Sequence, residues 1–263
     1  MSIQLIRQGS IAHIVLDNAP VNAFTADLHK QFYDALREFY ADASLKVGIW
    51  RSAGEGAFCA GDDIKAPRPE YTDVQLMHRH FTESAQLEDA GYPGWEREVL
   101  RLKRTKPLIA AVHGACVGQG LAYLLMMTDL RIGTPKARFG FPEVTYGMGG
   151  AAGATQLSQQ IPHTAAMYMV LTGKLVDANY ALTNHLINEI VPEDQLLSRA
   201  QELAQDIARH PALALQVELE TYHQTKTMSR EDALTYAEQV YRLQRFALSD
   251  GTQPLAKRET KDS

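Results

Sequence analysis

The sequence predicts an α/β fold that gives way to a wholly helical carboxyl-terminal region, on three observations. Residues 107–112 (PLIAAV) form an unbroken apolar run that suits a strand buried on both faces, followed by a glycine-rich turn and then LAYLLMM, which suits a buried helix. Near the amino terminus a strand pattern, an amphipathic helix pattern and a second strand pattern follow one another, the order of a right-handed crossover in a mixed or parallel sheet. Beyond Val191 every apolar stripe has helical spacing.

Ile3, Leu5 and residues 11–16 read as two strands around the turn at Gln8, Gly9 and Ser10. From Thr25, a plausible N-cap, the apolar positions Leu28, Phe32, Ala35, Leu36 and Phe39 fall on one helix face, with Lys30, Asp34 and Arg37 outward. Residues 47–50 read as a strand, 52–61 as a polar glycine-rich loop, and 96–106 as a helix with the cationic face Arg97, Arg101 and Arg104. After the central stretch come a strand at 129–133, helices at 165–171 and 178–186, and a short strand at 187–191 stopped by Pro192. Leu196, Ala200, Leu203 and Ile207 form one helical stripe and Pro211 starts the next helix. Ser229 to Asp232 resembles a capping box for a long helix whose inner face would carry Ala233, Leu234, Ala237, Val240 and Tyr241. The expected division is 1–195 for the core and its site and 196–263 for the helical region, with no linker between independent domains.

Composition narrows the function. With 263 residues, 45% of them hydrophobic, the chain is long enough for one large core. The formal charge of -5 offers no basic face for a nucleic-acid backbone, so no nucleic-acid partner is expected. Cys59 and Cys116 are in no metal-ligand spacing, which fits a reducing compartment and no disulfide framework. No targeting signal and no apolar run of roughly 20 residues is present, so a cytoplasmic protein without a membrane partner is expected. His78 and His80, two residues apart, do not share a helix face, so no metal site is expected.

Chemistry concentrates in residues 107–157. A strand, a glycine turn and a helix leave the first amides of the helix pointing into the turn, a place that suits negative charge. Gly118, Gln119 and Gly120 make that turn, and Glu143 follows between apolar neighbours about two dozen residues later. An oxyanion site and one carboxyl group are a minimal kit for chemistry beside a carbonyl. From the residues alone, the glycines could equally serve close packing and Glu143 could be a solvated loop residue.

PLIAAVHGACVGQG, TDLRIGTPKARFGFPEVTYGMGG, AMYMVLTGKLVDANYA and the loop FCAGDDIKA at 58–66 resemble, in order and spacing, the enoyl-CoA hydratase/isomerase (crotonase) superfamily. The resemblance implies a crotonase-like spiral of ββα units with a helical carboxyl-terminal region. It further implies an acyl-CoA thioester substrate, coenzyme A entering as part of that substrate with no tightly bound cofactor, and a homotrimer or dimer of trimers built with the help of the helical tail. By the same resemblance the amides of Asp62 and Gln119 grip the thioester oxygen, and Glu143 corresponds to one of the family's two catalytic glutamates. Val21 and Asn22 in residues 20–24, with Ala60, Asp62, Asp63, Ile64, Lys65, Gln119 and Lys257, would meet the coenzyme A ester. Phe81, Tyr92 and Trp95 are candidate walls of the acyl pocket.

The departures from the family pattern matter. The helix that carries the second glutamate of hydratases reads Leu121, Ala122, Tyr123, Leu124, Leu125 here, one residue longer than usual, so Ala122 or Tyr123 takes that place. The run 149–156 lacks the usual proline, and an aspartate that some isomerases carry near Ala151 is missing. Hydration divides its proton transfers between two groups, whereas a double-bond shift needs one, so the single Glu143 favours enoyl-CoA isomerisation. The alternatives are a hydratase, dehydratase or carbon–carbon bond hydrolase in which Tyr123 or a histidine supplies the missing acid, and a non-catalytic acyl-CoA binder. The Asp62 carboxylate would sit beside a developing enolate, so it must turn away or meet a cation such as Lys65. Nothing matches a complete dinucleotide fingerprint, because the third glycine after Gly118 and Gly120 is missing.

Overall fold

A computed structural model describes residues 1–67, 69–87 and 94–249. Tyr92 and Lys257, expected at the site, lie outside these described residues. The chain opens with β1 (Ser2–Gln8) and β2 (Ile11–Asp17), paired antiparallel, then α1 (Ala26–Ala41) and β3 (Val47–Ser52), which returns parallel to β2. Thr25 caps α1 as its sequence suggests, its hydroxyl accepting from the Leu28 amide. Next come α2 (Asp73–Phe81), α3 (Trp95–Arg101), β4 (Leu108–Val112), β5 (Ala115–Val117), α4 (Gln119–Met127), β6 (Leu130–Gly133) and β7 (Arg138–Gly140). The remainder is α5 (Ala151–Gln160), α6 (His163–Thr172), β8 (Val176–Asp177), α7 (Ala178–Thr183), β9 (Glu189–Ile190), α8 (Leu196–Ala208), α9 (Ala212–Thr225) and α10 (Arg230–Ser249).

The main sheet has the order β1-β2-β3-β4-β6-β9 and is parallel after its first pair, while β5, β7 and β8 form a second, small sheet. Every residue of β4 is buried, as an apolar run between two packed layers requires. One face of the sheet packs against α1 and α4 through Leu28, Phe32, Leu36, Trp50, Phe58 and Tyr123. Each fully buried Leu or Phe there contributes roughly 1.5–3 kcal/mol relative to an exposed one. The other face is covered by α8, whose Leu196, Ala200 and Ala204 meet Ile49, Ile109, Ala111 and Ile132. Lys106 is buried and donates from Nζ to the carbonyls of Phe39 and Asp42, closing the carboxyl end of α1.

Three expectations need correction. The helix expected over 96–106 stops at Arg101, because the segment turns inward to start β4, and of its three arginines only Arg101 is exposed. Arg97 instead donates to the carbonyls of Arg79, His80 and Thr82, and Arg104 pairs with Asp129 at 2.8 Å. On α10, Leu234 and Tyr241 are 56% and 57% exposed, because this helix lies against α9 along a narrow stripe that includes Tyr236, whose hydroxyl donates to Glu220. The glycine turn after β4 contains a short strand, β5, which pairs with β7 and thereby builds the site. Among the described residues no helix is long and apolar enough to cross a membrane.

Candidate active site

Two backbone ladders bring the separate sequence motifs together. β5 pairs parallel with β7 in the register Val117 to Gly140, and the Gly118 amide donates to the Gly140 carbonyl at 3.0 Å. Phe141, Pro142 and Glu143 therefore leave β7 alongside the turn that opens α4. On its other edge β5 bridges Cys59, with the Val117 amide donating to the Cys59 carbonyl at 3.0 Å and the Cys59 amide to Ala115 at 2.9 Å. That bridge sets Gly61 against Gly118.

Glycine is required at both turns. Gly61 has φ +85, and a Cβ there would lie 3.0 Å from the Val117 carbonyl oxygen and 3.2 Å from the Gln119 amide nitrogen. Gly118 has φ +56, and a Cβ there would lie 3.1 Å from Oε1 of Glu143. Gln119 is the first residue of α4, so its amide has no acceptor within the helix and carries the positive end of the helix dipole. The Gly61 carbonyl and the Asp63 amide bond to Phe24, at 2.7 and 2.8 Å, so the intervening Asp62 amide faces away from Phe24. The backbone thus gathers Asp62, Gln119 and Glu143 in one place.

Glu143 lies in a 3-10 turn over Pro142–Tyr146. Its Oε2 is buried and has no hydrogen-bond partner among the described residues. Burial pushes its pKa above the usual carboxylate value, its own backbone amide offsets part of this, and the nearby Asp62 charge adds to the rise. Phe141 is buried behind it, packed so closely on Gly153 that a Cβ at that glycine would overlap its ring.

The two candidates for the missing second glutamate part company. Ala122 is buried, 3.2 Å from the place of a Cβ on Gly153, on the Phe141 side of α4. Tyr123 faces α1, fully buried between Phe24 and Phe32, and its hydroxyl meets Nδ1 of His29 at 2.6 Å. The extra residue in α4 therefore points an aromatic ring into the core and a hydroxyl at a histidine. Burial raises the Tyr123 pKa well above the ordinary phenol value, so it stays protonated.

His29 is the residue that the sequence reading missed. Nε2 of His29 lies 3.1 Å from Oδ1 of Asp62, and its ring stacks on Phe24 at 5.0 Å. The group beside the Asp62 carboxylate is thus this imidazole, while Lys65 is exposed and gives its amide to Asp63. The available signal was a polar ring three residues before Phe32, on the face of α1 that otherwise buries Leu28, Phe32, Leu36 and Phe39. His29 and Asp62 line a cavity of about 230 Å³ together with Phe24, Asp63, Trp95 and Glu96.

The remaining candidates are spread along one edge. The Ala60 amide donates to the Val21 carbonyl at 3.1 Å, so the segments around Val21 and Ala60 run side by side. Val21 and Ile64 are 45% and 70% exposed beside this edge. Asn22 is buried with φ +53, and its side chain is used within the protein, accepting from Asn18 and donating to the Ala53 and Ala57 carbonyls. It holds the glycine-rich loop to the segment before α1. Trp95 lines the cavity and packs on Tyr33, but Phe81 is 83% exposed and forms no wall.

Residues 6–251 match the family Enoyl-CoA hydratase/isomerase. The chain belongs to the enoyl-CoA hydratase/isomerase family. Within this family it is 31% identical over 233 residues to the carnitinyl-CoA dehydratase of Proteus mirabilis, covering 88% of this chain and 84% of that protein. Its structure resembles an enoyl-CoA hydratase from Bacillus anthracis with a TM-score of 0.78 and 25% identity, over 97% of this chain and 98% of the other. An enoyl-CoA hydratase from Mycobacterium marinum gives 0.77 and 26%, over 95% and 92%. The crotonase fold expected from the motifs is the fold observed, and the family acts on coenzyme A esters.

Proposed function

We propose that the protein adds water to a 2-enoyl-CoA, or removes it from a 3-hydroxyacyl-CoA, through a thioester enolate held by the amides of Asp62 and Gln119. The observation that carries this reading is the Glu143 carboxyl, whose Oε1 sits beside the Gly118 turn where the carbon next to the thioester would lie and whose Oε2 is buried with no hydrogen-bond partner among the described residues. Two aligned main-chain donors contribute on the order of 2.7–4 kcal/mol each to an oxyanion, and a positioned carboxyl about 100- to 10,000-fold. A relative named carnitinyl-CoA dehydratase supports the water-elimination direction. Coenzyme A enters as part of the substrate along the Val21 and Ala60 edge, in a cytoplasmic enzyme. The exposed apolar residues of α10, Leu234, Tyr241, Leu243 and Phe246, are suited to contacts in a homotrimer or a dimer of trimers.

Isomerisation of a 3-enoyl-CoA is the second reading, favoured by α4, which offers no carboxylate at Ala122 or Tyr123. One assay separates the two. Crotonyl-CoA losing its conjugated absorbance, with the activity abolished in Glu143→Gln, supports hydration. A 3-enoyl-CoA gaining that absorbance while crotonyl-CoA stays unchanged supports isomerisation and overturns the first reading.

A further inference from the structure

The water-addition reading leaves one proton transfer without a group, because the helix that would supply a second glutamate has none. We propose that the side chain of Asp62, oriented by His29 and through it by Tyr123, is the second acid–base group of the site. This proposal rests on that reading and deepens it.

Three contacts support it. Asp62 Oδ1 and His29 Nε2 are 3.1 Å apart, Nδ1 of the same ring and the Tyr123 hydroxyl are 2.6 Å apart, and the ring stacks on Phe24. A tyrosine hydroxyl that donates to Nδ1 fixes the imidazole proton on Nε2, where it faces the carboxylate. His29 is only 5% exposed and can neither rotate nor exchange partners without breaking the Tyr123 contact or the Phe24 stack. The groups facing the imidazole are thus Asp62 from the glycine loop and Tyr123 from α4, with Asp63 and Glu96 across the same cavity.

Position then divides the labour between the two carboxyl groups. Glu143 is held against Gly118, at the oxyanion turn, and therefore next to the carbon bonded to the thioester. Asp62 opens onto the cavity lined by Phe24, His29 and Trp95, which Glu143 does not line, so an acyl chain running past that carbon into this cavity would bring the carbon that gains or loses oxygen nearer Asp62. For hydration, the Asp62 carboxylate takes a proton from water as the oxygen bonds to the outer carbon. The electron pair of the carbon–carbon double bond moves onto the thioester oxygen. As the enolate collapses, protonated Glu143 delivers its proton to the inner carbon. Asp62 then releases a proton to solvent and Glu143 regains one, so each turnover balances, and elimination runs the same steps backwards. Throughout, the His29 Nε2–H steadies the charge on Asp62. Tyr123 is a positioning residue.

The test separates the two transfers. Exchange of the inner-carbon hydrogen of butyryl-CoA in heavy water needs only Glu143 and the two amides, whereas hydration of crotonyl-CoA needs Asp62 as well. Asp62→Asn and His29→Gln are expected to lose hydration by about 100-fold or more, and to fall at least about tenfold further in hydration than in exchange. Glu143→Gln loses both. Tyr123→Phe is expected to lose about 10-fold in hydration alone, with kcat falling and KM steady. Hydration in Asp62→Asn within about 3-fold of wild type overturns the proposal, and so does exchange falling in parallel with hydration, which would mark Asp62 and His29 as supports of the loop. A wild-type enzyme that exchanges but adds no water overturns the hydratase reading itself, and the proposal with it.

Discussion

Gly118 and the Glu143 carboxylate are in close contact: a Cβ on the glycine would stand 3.1 Å from Oε1. No strand or helix joins them directly. The parallel register of β5 and β7 does, and it sets Glu143 and the Gly118 turn side by side.

Gly118→Ala should therefore damage activity more than stability. The positive-φ backbone costs about 1–3 kcal/mol for an alanine, and the added methyl pushes the carboxylate off its position. A fall in kcat/KM of about 100-fold, with a urea midpoint that drops only modestly, is the expected pair of measurements.

Gly61→Ala acts on the other turn. Its methyl would press on the Val117 carbonyl and the Gln119 amide, so at least one of the two proposed oxyanion donors is displaced. The expected loss is about 100- to 1,000-fold in kcat, the scale of one such donor, with coenzyme A binding retained by calorimetry.

Glu143→Gln removes a buried acid whose pKa is raised in the folded protein, chiefly by desolvation. A raised acid binds more protons folded than unfolded, so wild-type stability falls as pH climbs from the usual carboxylate value, 4.5, through the folded pKa. The glutamine variant lacks that fall. Urea titrations at a series of pH values should show the stability difference growing in favour of the variant across this window, while hydration activity is lost.

Burial lowers the pKa of His13, His113 and His223, so these rings resist protonation in the folded state. The unfolded chain then binds more protons below the ordinary value of 6.5, and stability should fall as pH drops through it. His113, whose buried Nε2 has no partner among the described residues, is the place to test this. His113→Asn should flatten the decline between about pH 7 and 5, measured by thermal unfolding.

Gly153→Ala introduces a methyl where the Phe141 ring already sits. Overpacking of this kind typically costs about 1–3 kcal/mol. Because Phe141 backs Glu143, activity should fall along with the unfolding midpoint. Unchanged activity in a destabilised variant would separate the ring from the acid.

Local patterns in the sequence decide much of this protein. The apolar run before the first glycine turn suits a strand packed on both faces, and β4 is fully buried. Thr25 and the spacing of Leu28, Phe32, Leu36 and Phe39 give α1 and its inner face, because capping and helical periodicity act within a few residues. The glycine turns and Glu143 are legible for the same reason, and the motif order carries the family. Where a helix ends is less legible: Arg97, Arg101 and Arg104 read as one cationic face of a helix until the carbonyls and the carboxylate that turn Arg97 and Arg104 inward are in view.

Tertiary structure decides what the lone side chains face. Whether Ala122 or Tyr123 took the vacant place depended on the rotation of α4, which is set by packing against Phe24, Phe32 and Phe141 and not by the helix sequence alone. That rotation sent the hydroxyl of Tyr123 to His29, 94 positions away, and His29 in turn met Asp62. Such a chain leaves no mark in spacing, because three segments distant in sequence become neighbours only once the sheet has closed and the helices have packed upon it.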